Sequence, residues 1–279
     1  MTGLPAFHEL AASPTWQCID FISDLHLQHS EPANFAAFER YLQNTPAQAI
    51  FILGDLFEVW VGDDVLNDPS AFESRCCRAL RQCAQGKSIF FIHGNRDFLL
   101  GSACLQASGM QGLPDPTVLT VGSTRYLLSH GDALCLADTD YQHFRAQVRS
   151  SAWQQQFLAQ PLRVRIGQAR ALRAQSEARK QQNQAWVDLD PTETQHWMQA
   201  AAAQHMVHGH THEGVDHLLG SSAHHAQSPG LRHVLCDWHA DAVPPRVQVL
   251  RLSHQPAMGP DTPAPHAGQA ALSMQRLPV

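Results

Sequence analysis

Short apolar runs alternate with amphipathic stretches along the first half of the chain. Residues 16–23, 49–53 and 88–92 are short and mostly apolar, which indicates strands buried on one or both faces. Residues 34–44 and 70–85 instead carry apolar side chains at helical spacing. Strands that alternate with helices predict an α/β sheet.

The second half of the chain adds paired strands. Residues 118–121 and 126–129 flank Gly122-Ser123, which predicts a hairpin. Paired strands next to the α/β half predict a mixed architecture of two packed sheets flanked by helices. Further strands are predicted at 205–207, 231–235 and 247–252.

Changes of pattern along the chain predict how it is organised. Residues 16–136 and 204–254 would form the core, and residues 137–203, which have only helical patterns, would form an insert or cap. Residues 1–15 are predicted to be a flexible leader. Residues 255–279 are rich in Pro, Ala and Gly and are predicted to lack a fixed structure.

Composition narrows the class of protein without indicating an activity. With 44% hydrophobic and 16% charged residues, the 279-residue chain is typical of a folded globular protein. It has no apolar run of about 18 residues, which a membrane span would need, and its start lacks the features of a secretory signal. The net charge of −6 disfavours nucleic acid as a partner. Seven cysteines without a Cys-x-x-Cys pair are typical of reduced thiols in the cytoplasm.

Polar clusters follow the predicted strands, where the loops of an α/β sheet bring distant residues together. Asp24 and His26 are two residues apart, so both side chains can reach one ion from an extended segment. Asp55 follows Gly54 at a strand end and has two oxygens with which to bridge two cations. Each pattern alone has an ordinary explanation, surface solvation for the Asp-x-His pair and a helix N-cap for Asp55.

Two more clusters offer neutral and cationic groups. Asn95 supplies an amide oxygen, and Arg96 is a planar cation that suits a phosphate. Asp97 can orient a neighbouring group. His130 follows the strand at 126–129. The alternatives are a Gly-Asn turn with a surface ion pair and a hydrogen-bonded core histidine.

The histidines at 208–212 give the strongest single indication of metal binding. His208, His210 and His212 are spaced by two, so an extended segment places their imidazoles on one side. Carboxylates, imidazoles and one amide together suit Mn²⁺, Fe²⁺ or Zn²⁺ better than metals that prefer thiolates.

In this order and spacing, the five clusters resemble the calcineurin-like metallophosphoesterase superfamily. The resemblance implies a four-layer α/β/β/α sandwich with two metal ions, here with a helical insert. Two ions about 3.5–4 Å apart would clamp the attacking and leaving oxygens, with water as the nucleophile. His208 would not be a ligand. By resemblance, one ion would be held by Asp24, His26 and His212, the other by Asn95, His130 and His210, and Asp55 would bridge them.

A longer run, from Gly94 to Gly101, resembles the UDP-2,3-diacylglucosamine pyrophosphohydrolase family of lipid A synthesis, whereas most of the superfamily has His in place of Arg96. This resemblance spans about residues 20–239. It implies two Mn²⁺ ions per chain and water attack on the α-phosphate, which releases UMP and 2,3-diacylglucosamine 1-phosphate. The implied catalytic residues are Asp55, Asn95, Arg96 and His210. The implied substrate contacts are Asn95, Arg96, Asp138, Ser176 and His210, with Arg179 and Lys180 as candidates for two contacts that the resemblance does not place.

The predicted insert is both basic and apolar, which suits an anionic membrane surface or a diphosphate-bearing lipid. The alternative is an ordinary helical face, packed on its apolar side and solvated on the other. The first interpretation predicts a protein attached peripherally to the cytoplasmic face of the inner membrane, with a nucleotide-linked glycolipid substrate and no obligate protein partner. The side chains concerned are Phe157, Leu158, Leu162, Val164 and Ile166, with Arg163, Arg165, Arg170, Arg173, Arg179 and Lys180.

Two other functions fit parts of the sequence. A nuclease or cyclic-nucleotide phosphodiesterase would use the same metal site, but Arg96, the acidic net charge and the basic, apolar insert speak against it. A non-catalytic scaffold on the same fold would be expected to have lost ligands. Here all seven predicted positions carry a competent residue.

Overall fold

The computed structural model describes residues 3–182, 187–219, 230–254 and 272–279, with only the helical backbone described for 175–182. Within these residues the chain forms two six-stranded sheets and seven α-helices. No helix among them is long and apolar enough to cross a membrane. The strands are β1 (His8–Ala11), β2 (Cys18–Ile22), β3 (Ala49–Leu53), β4 (Ser88–Ile92), β5 (Gln111–Gly112), β6 (Thr117–Val121), β7 (Thr124–Ser129), β8 (His205–His208), β9 (Asp216–Leu219), β10 (Gly230–Val234), β11 (Gln248–His254) and β12 (Leu272–Pro278). The helices are α1 (Pro32–Asn44), α2 (Phe72–Cys83), α3 (Ser102–Ser108), α4 (Thr139–Val148), α5 (Ser151–Leu158), α6 (Leu162–Gln182) and α7 (Pro191–Ala200).

Both sheets are mixed. The first has the strand order β12-β11-β2-β3-β4-β5, in which β2, β3 and β4 run parallel. The second has the order β1-β6-β7-β8-β10-β9 and contains the predicted β6–β7 hairpin, with β7 and β8 parallel. The loops that carry the predicted metal ligands follow β2, β3, β4, β7 and β8, at the carboxyl ends of these parallel strands.

Alternate side chains of β2 and β3 build two separate cores. Phe21 and Phe51 point between the sheets, where they share a cluster with Leu128 of β7. Ile50 points the other way and packs with residues of α1 and α2. A third cluster joins the second sheet to α7. The layers therefore follow the order helix, sheet, sheet, helix, which confirms the predicted four-layer α/β/β/α sandwich.

Both ends of the chain contribute a strand that the sequence analysis missed. β1 lies in the predicted flexible leader and pairs in parallel with β6. β12 lies in the stretch predicted to lack structure and pairs antiparallel with the whole of β11. That prediction is wrong for this last part because Leu272 and Met274 alternate and pack against the core between the sheets. Residues 255–271 lie outside the described part of the chain.

The helices α4 to α7 occupy the stretch predicted as an insert. Its apolar side chains divide between the interior and the surface: Phe157 is buried with the cluster beneath the first sheet, whereas Leu158 and Val164 are 42% and 44% exposed. Its basic side chains divide in the same way. Arg165, predicted to be part of an exposed basic face, is buried and donates to the Val61 carbonyl and the Asp64 carboxylate.

Candidate metal centre

The predicted ligands lie in loops with an unusual backbone conformation. Five of them have φ between 48° and 65°, a region that residues other than glycine seldom occupy. Ala202 is the only other non-glycine residue with positive φ in the described ranges. Strain of this kind concentrates where the backbone must aim a side chain at a ligand. The five ligands are Asp24, His26, Asp55, His210 and His212.

Three of the predicted ligands form one compact group. Potential ligand atoms of Asp24, His26 and His212 all lie within 4.8 Å of one another. Nε2 of His212 is 3.0 Å from Oδ1 of Asp24, and Nε2 of His26 is 3.9 Å from the same oxygen. The other oxygen of Asp24 accepts from the backbone N–H of His210 at 3.0 Å and from the Ser23 hydroxyl at 2.6 Å. The carboxylate is thus held with one oxygen turned toward the two imidazoles.

The remaining predicted ligands adjoin this group. Asp24 also belongs to a second group of potential ligands with Asp55 and His130, and Nε2 of His130 is 3.7 Å from Oδ1 of Asp55. Oδ1 of Asn95 is 2.9 Å from both Nε2 of His130 and Nδ1 of His210. The structure therefore brings all seven predicted ligands together in one continuous cluster.

Two glycines allow the loops to approach so closely. A Cβ atom on Gly94 would lie 2.1 Å from Oδ1 of Asp55. A Cβ atom on Gly54 would lie 2.6 Å from both Cα of Gly94 and Nδ1 of His130, and Gly54 has a φ of +88°. Any other residue at either position would push the loops after β3 and β4 apart.

Asp97 ties the same two loops together. Its buried carboxylate accepts from the backbone N–H of Leu56 at 2.7 Å and from that of Gly94 at 2.8 Å. Burial and the neighbouring charge of Asp55 raise the pKa of Asp97 to about 7. This orienting position agrees with the role that the sequence suggests for Asp97.

The buried charges of the cluster favour a cation among them. Burial opposes ionisation of Asp24, but the charge and hydrogen bond of His212 outweigh it and hold the pKa of Asp24 below its ordinary value. Burial would lower the pKa of His130, but Asp55 and Asp24 raise it to about 9. Burial and the charge of His130 lower the pKa of His210 to about 4. A proton on His130 thus balances two buried carboxylates that a metal ion would otherwise balance.

His26 provides a direct test of whether the residues fit a metal. Both of its ring nitrogens are buried and make no hydrogen bond within the described residues, although Nδ1 lies 3.3 Å from the carboxylate of Glu58. Nε2 faces Asp24, so a cation between His26 and Asp24 would give it a partner. Carboxylate, imidazole and amide donors together suit a divalent first-row metal. The residues therefore fit a metal centre.

Arg96 lies beside the predicted ligands. Its backbone N–H donates to Oδ1 of Asp55 at 2.9 Å, and its Nη1 donates to Oε1 of Glu58 at 3.0 Å. Nε of Arg173, from helix α6, donates to the same oxygen of Glu58 at 2.5 Å. The carboxylate of Glu58 thus fixes two guanidinium groups next to the cluster.

Of the predicted substrate contacts in the insert, Asp138 is the one whose side chain the structure describes. Asp138 is the N-cap of α4, where its carboxylate accepts from the backbone N–H of Tyr141 at 3.0 Å. Capping alone accounts for an Asp at this position. The side chains of Ser176, Arg179 and Lys180 lie outside the described residues.

Tyr141, which the sequence analysis did not select, connects the insert to the cluster. Its ring stacks on His210, with ring centroids 5.9 Å apart and an interplanar angle of 29°. Its hydroxyl donates to the buried carboxylate of Asp132 at 2.5 Å. The same carboxylate accepts from Nε of Arg145 at 2.7 Å.

Sequence reasoning also missed the roles of three acids. Glu58 and Asp132 stand inside motifs that were selected for Asp55 and His130, and this adjacency is the only signal that marks them. Asp237, whose Oδ2 lies 3.5 Å from Nδ1 of His212, follows a predicted strand without any motif. Contacts of this kind depend on the tertiary structure and leave no spacing pattern.

His208 belongs to neither group of potential ligands among the described residues. Its Nδ1 lies 2.8 Å from the carbonyl oxygen of Gly209, and its side chain is fully buried. Burial and the nearby charge of Arg232 lower the pKa of His208 to about 3. His208 is therefore a neutral core residue, which agrees with its exclusion from the predicted ligands.

Comparison with known proteins assigns most of the chain to one family. Residues 19–214 match the family described as calcineurin-like phosphoesterase. Proteins named UDP-2,3-diacylglucosamine hydrolase from Cellvibrio japonicus (strain Ueda107) and Xanthomonas axonopodis pv. citri (strain 306) are each 42% identical to it. Each alignment covers 78% of this chain and 90% of the relative. The protein of that name from Escherichia coli O127:H6 is 42% identical over 79% of this chain and 91% of its own.

Proposed function

This chain belongs to the calcineurin-like phosphoesterase family, whose members are metal-dependent hydrolases, and on that premise we propose that it hydrolyses UDP-2,3-diacylglucosamine. Water attacks the α-phosphate, and the products are UMP and 2,3-diacylglucosamine 1-phosphate. The names of relatives that are 42% identical over most of the chain support this substrate. The observation that carries the proposal is the cluster of seven potential ligands with Arg96 beside it.

We assign two divalent cations to the cluster and propose Mn²⁺ as the metal. Asp55 lies between the two sets of ligands and would bridge the ions. When bound, two such ions neutralise charge on the phosphate and make a water molecule more acidic. The donor set supports Mn²⁺ without distinguishing it from Fe²⁺ or Zn²⁺. The proposed ligands are Asp24, His26 and His212 for one ion and Asn95, His130 and His210 for the other.

The side chains around the cluster bind and orient the diphosphate. Arg96 presents a planar guanidinium beside Asp55, and Glu58 holds it there at 3.0 Å. A fixed guanidinium donates two parallel hydrogen bonds to a phosphate and stabilises the negative charge that moves to the leaving group. Asn95 and His210 would contact the substrate from the same loops. Asp138, Ser176, Arg179 and Lys180 are proposed to contact the glycolipid from the insert.

We further propose that the protein attaches peripherally to the cytoplasmic face of the inner membrane through its insert. In the insert, Leu158, Val164 and Leu172 are each more than 40% exposed, and Arg163 and Arg170 of α6 are also exposed. Exposed apolar side chains with flanking basic residues suit an anionic lipid surface. Sedimentation with anionic vesicles in low salt, reversed by high salt, is the expected result. An equal distribution between vesicles and supernatant in low salt would contradict it.

The substrate is tested with purified protein, UDP-2,3-diacylglucosamine in detergent, and Mn²⁺. We expect release of UMP that a chelator abolishes, and in ¹⁸O-labelled water we expect the label in UMP, because water would attack the α-phosphate. Hydrolysis of bis-p-nitrophenyl phosphate without release of UMP would leave the metal centre standing and favour a nuclease or another phosphodiesterase. Absence of both Mn²⁺ binding and hydrolysis would favour a non-catalytic scaffold.

A further inference from the structure

The two histidines assigned to one ion, His26 and His212, are backed by acids. Both rings turn Nε2 toward Asp24, at 3.9 Å and 3.0 Å. On the opposite side, Nδ1 of His26 lies 3.3 Å from Oε2 of Glu58, and Nδ1 of His212 lies 3.5 Å from Oδ2 of Asp237. An imidazole that gives Nε2 to a metal carries its proton on Nδ1. Nδ1 of His26 makes no hydrogen bond within the described residues, so its contact with Glu58 would become a hydrogen bond once an ion orients the ring.

Arginines hold both carboxylates in place. Asp237 accepts two hydrogen bonds from Arg246, at 2.6 Å and 2.8 Å, in a bidentate pair. Glu58 accepts from Arg96 at 3.0 Å and from Arg173 at 2.5 Å, both at Oε1, and its Oε2 lies 3.3 Å from Nδ1 of His26. A carboxylate fixed by guanidinium groups loses little freedom when it orients an imidazole, and its pairing lowers the cost of holding it near the ion.

His130, assigned to the other ion, has a neutral group behind it instead. Nδ1 of His130 is 2.9 Å from the carbonyl oxygen of Leu53, which is a neutral acceptor. Nδ1 of His210 faces Oδ1 of Asn95, which is itself a proposed ligand of the same ion, and the ring stacks on Tyr141, so the comparison rests on His130. An anion behind an imidazole makes it a stronger donor to a metal than a neutral carbonyl does.

From this difference we infer that Glu58 and Asp237 are positioning residues that make the Asp24–His26–His212 position the tighter of the two metal positions. The inference rests on the proposed two-metal centre and deepens it. Because Glu58 also accepts from Arg173 of α6, the seating of the insert and the affinity of this ion are coupled. An insert that lifts away removes a guanidinium from Glu58 and loosens the orientation of His26.

The test measures Mn²⁺ binding to the metal-free, full-length protein by equilibrium dialysis, with electron paramagnetic resonance to distinguish single from paired ions. Wild type is expected to bind two ions in two steps. Glu58→Gln and Asp237→Asn should each weaken one step by about 10- to 100-fold and leave the other unchanged. Their effects should multiply in the double variant, because both acids support the same ion.

Two backgrounds identify the affected position. In His130→Asn, which disables the other position, the remaining step should still weaken when Glu58→Gln is added. In His26→Asn, the added Glu58→Gln should have no effect. Arg173→Gln should weaken the same step by about threefold in wild type and have no effect in Glu58→Gln, because the coupling runs through that carboxylate.

Asp188→Asn is the matched control for Asp237→Asn. Asp188 forms the same kind of bidentate pair with Arg232, at 2.8 Å and 2.7 Å, and none of its contacts in the described part of the chain is with a proposed ligand. The Asp188→Asn variant should bind Mn²⁺ with both steps unchanged. A thermal scan of the metal-free proteins separates positioning from a structural role, because Glu58→Gln and Asp237→Asn should melt no lower than Asp188→Asn.

The outcomes are distinguishable. The inference is overturned if both variants bind two ions with wild-type affinity, if both steps weaken equally, or if the metal-free variants melt well below Asp188→Asn. In each of these cases wild type still binds two ions, so the proposed metal centre stands. If wild type binds no Mn²⁺, the metal centre and the inference fail together.

Discussion

The metal-binding end of the core and the helical insert are held in place by different interactions. In the core, the ligand loops touch one another so closely that a methyl group on Gly94 would collide with Asp55. The insert is attached through long side chains instead: Arg145 donates to Asp132, and Arg149 donates to the carbonyl of Gly94 at 2.9 Å. Ligands on tightly fixed loops keep their geometry, whereas helices on flexible arginines can adjust to what they bind.

The third helix of the insert, α6, repeats the pattern. On α6, Arg165 donates to Asp64 and Arg173 donates to Glu58. In all four contacts the insert supplies the cation and the core supplies the acceptor. Variants in the core should therefore abolish hydrolysis with little effect on folding, and variants at the insert contacts should alter stability and substrate affinity.

The largest expected effect is that of Asp55→Ala. Loss of the bridging carboxylate should lower UMP release by more than the roughly 100-fold that an outer partner of a metal ligand costs. The protein should still fold, because the change also removes the repulsion between the two neighbouring carboxylates, which raises the pKa of Asp97. UMP release and circular dichroism provide the measurements, with Glu39→Gln on the surface of α1 as the control. Near-normal activity would show that Asp55 does not bridge.

The next largest effect is expected for Asp132→Asn, which should lower the free energy of unfolding. The change leaves Arg145 and Arg149 without their acid, and breaking a buried ion pair costs about 3 kcal/mol of unfolding free energy. Limited proteolysis should show cleavage within residues 137–203 before the core is cut. Simultaneous digestion of both parts would contradict a separate attachment of the insert.

Asp132 also predicts a pH dependence. Burial alone would raise its pKa, but Arg149 and Arg145 outweigh burial and hold the pKa below its usual value of 3.8. The unfolded chain therefore takes up this proton first as the pH falls, so the stabilisation is complete above pH 3.8 and is lost below it. Denaturant melts of the metal-free proteins should show a smaller loss of stability below pH 4 in Asp132→Asn than in wild type. Equal slopes would contradict the prediction.

Arg96→Ala tests recognition within the core. We expect kcat/KM to fall by about 10- to 100-fold, because a hydrogen bond to a charged group contributes about 1.5–3 kcal/mol. Mn²⁺ should still bind, unlike in Asp55→Ala, with the Asp24–His26–His212 step weakened only modestly because Arg173 still holds Glu58. Arg96→Lys should recover only part of the loss, because a lysine has the charge without the planar fork. Full recovery by lysine would reduce the role of Arg96 to its charge.

The smallest effect is expected for Leu172→Gln on the exposed face of the insert. Leu172 is 43% exposed, and removing one partly inserted leucine from a lipid surface should weaken vesicle binding by about fivefold. Release of UMP in detergent should change little. Unaltered sedimentation with vesicles would indicate that this face does not contact the membrane.

The sequence allowed the prediction of the layered fold and of which polar clusters meet, because strand ends have a recognisable pattern and the ligand motifs are short and local. It did not predict the burial of Arg165, since a charged side chain is expected at the surface unless its partner is known. The roles of Glu58 and Asp237 depend on side-chain contacts between distant segments. β12 was missed because the composition of a long segment concealed a short alternation of apolar residues.

The four arginine contacts also limit how this protein can be re-engineered. A chimera that received the insert of a relative would bring new cations to acceptors that remain in the host, at Glu58, Asp64, Asp132 and the carbonyl of Gly94. An unmatched arginine would leave a carboxylate beside the metal centre without its counterion. The insert and the core loops that contact it should therefore be exchanged together, so that each arginine keeps its acceptor.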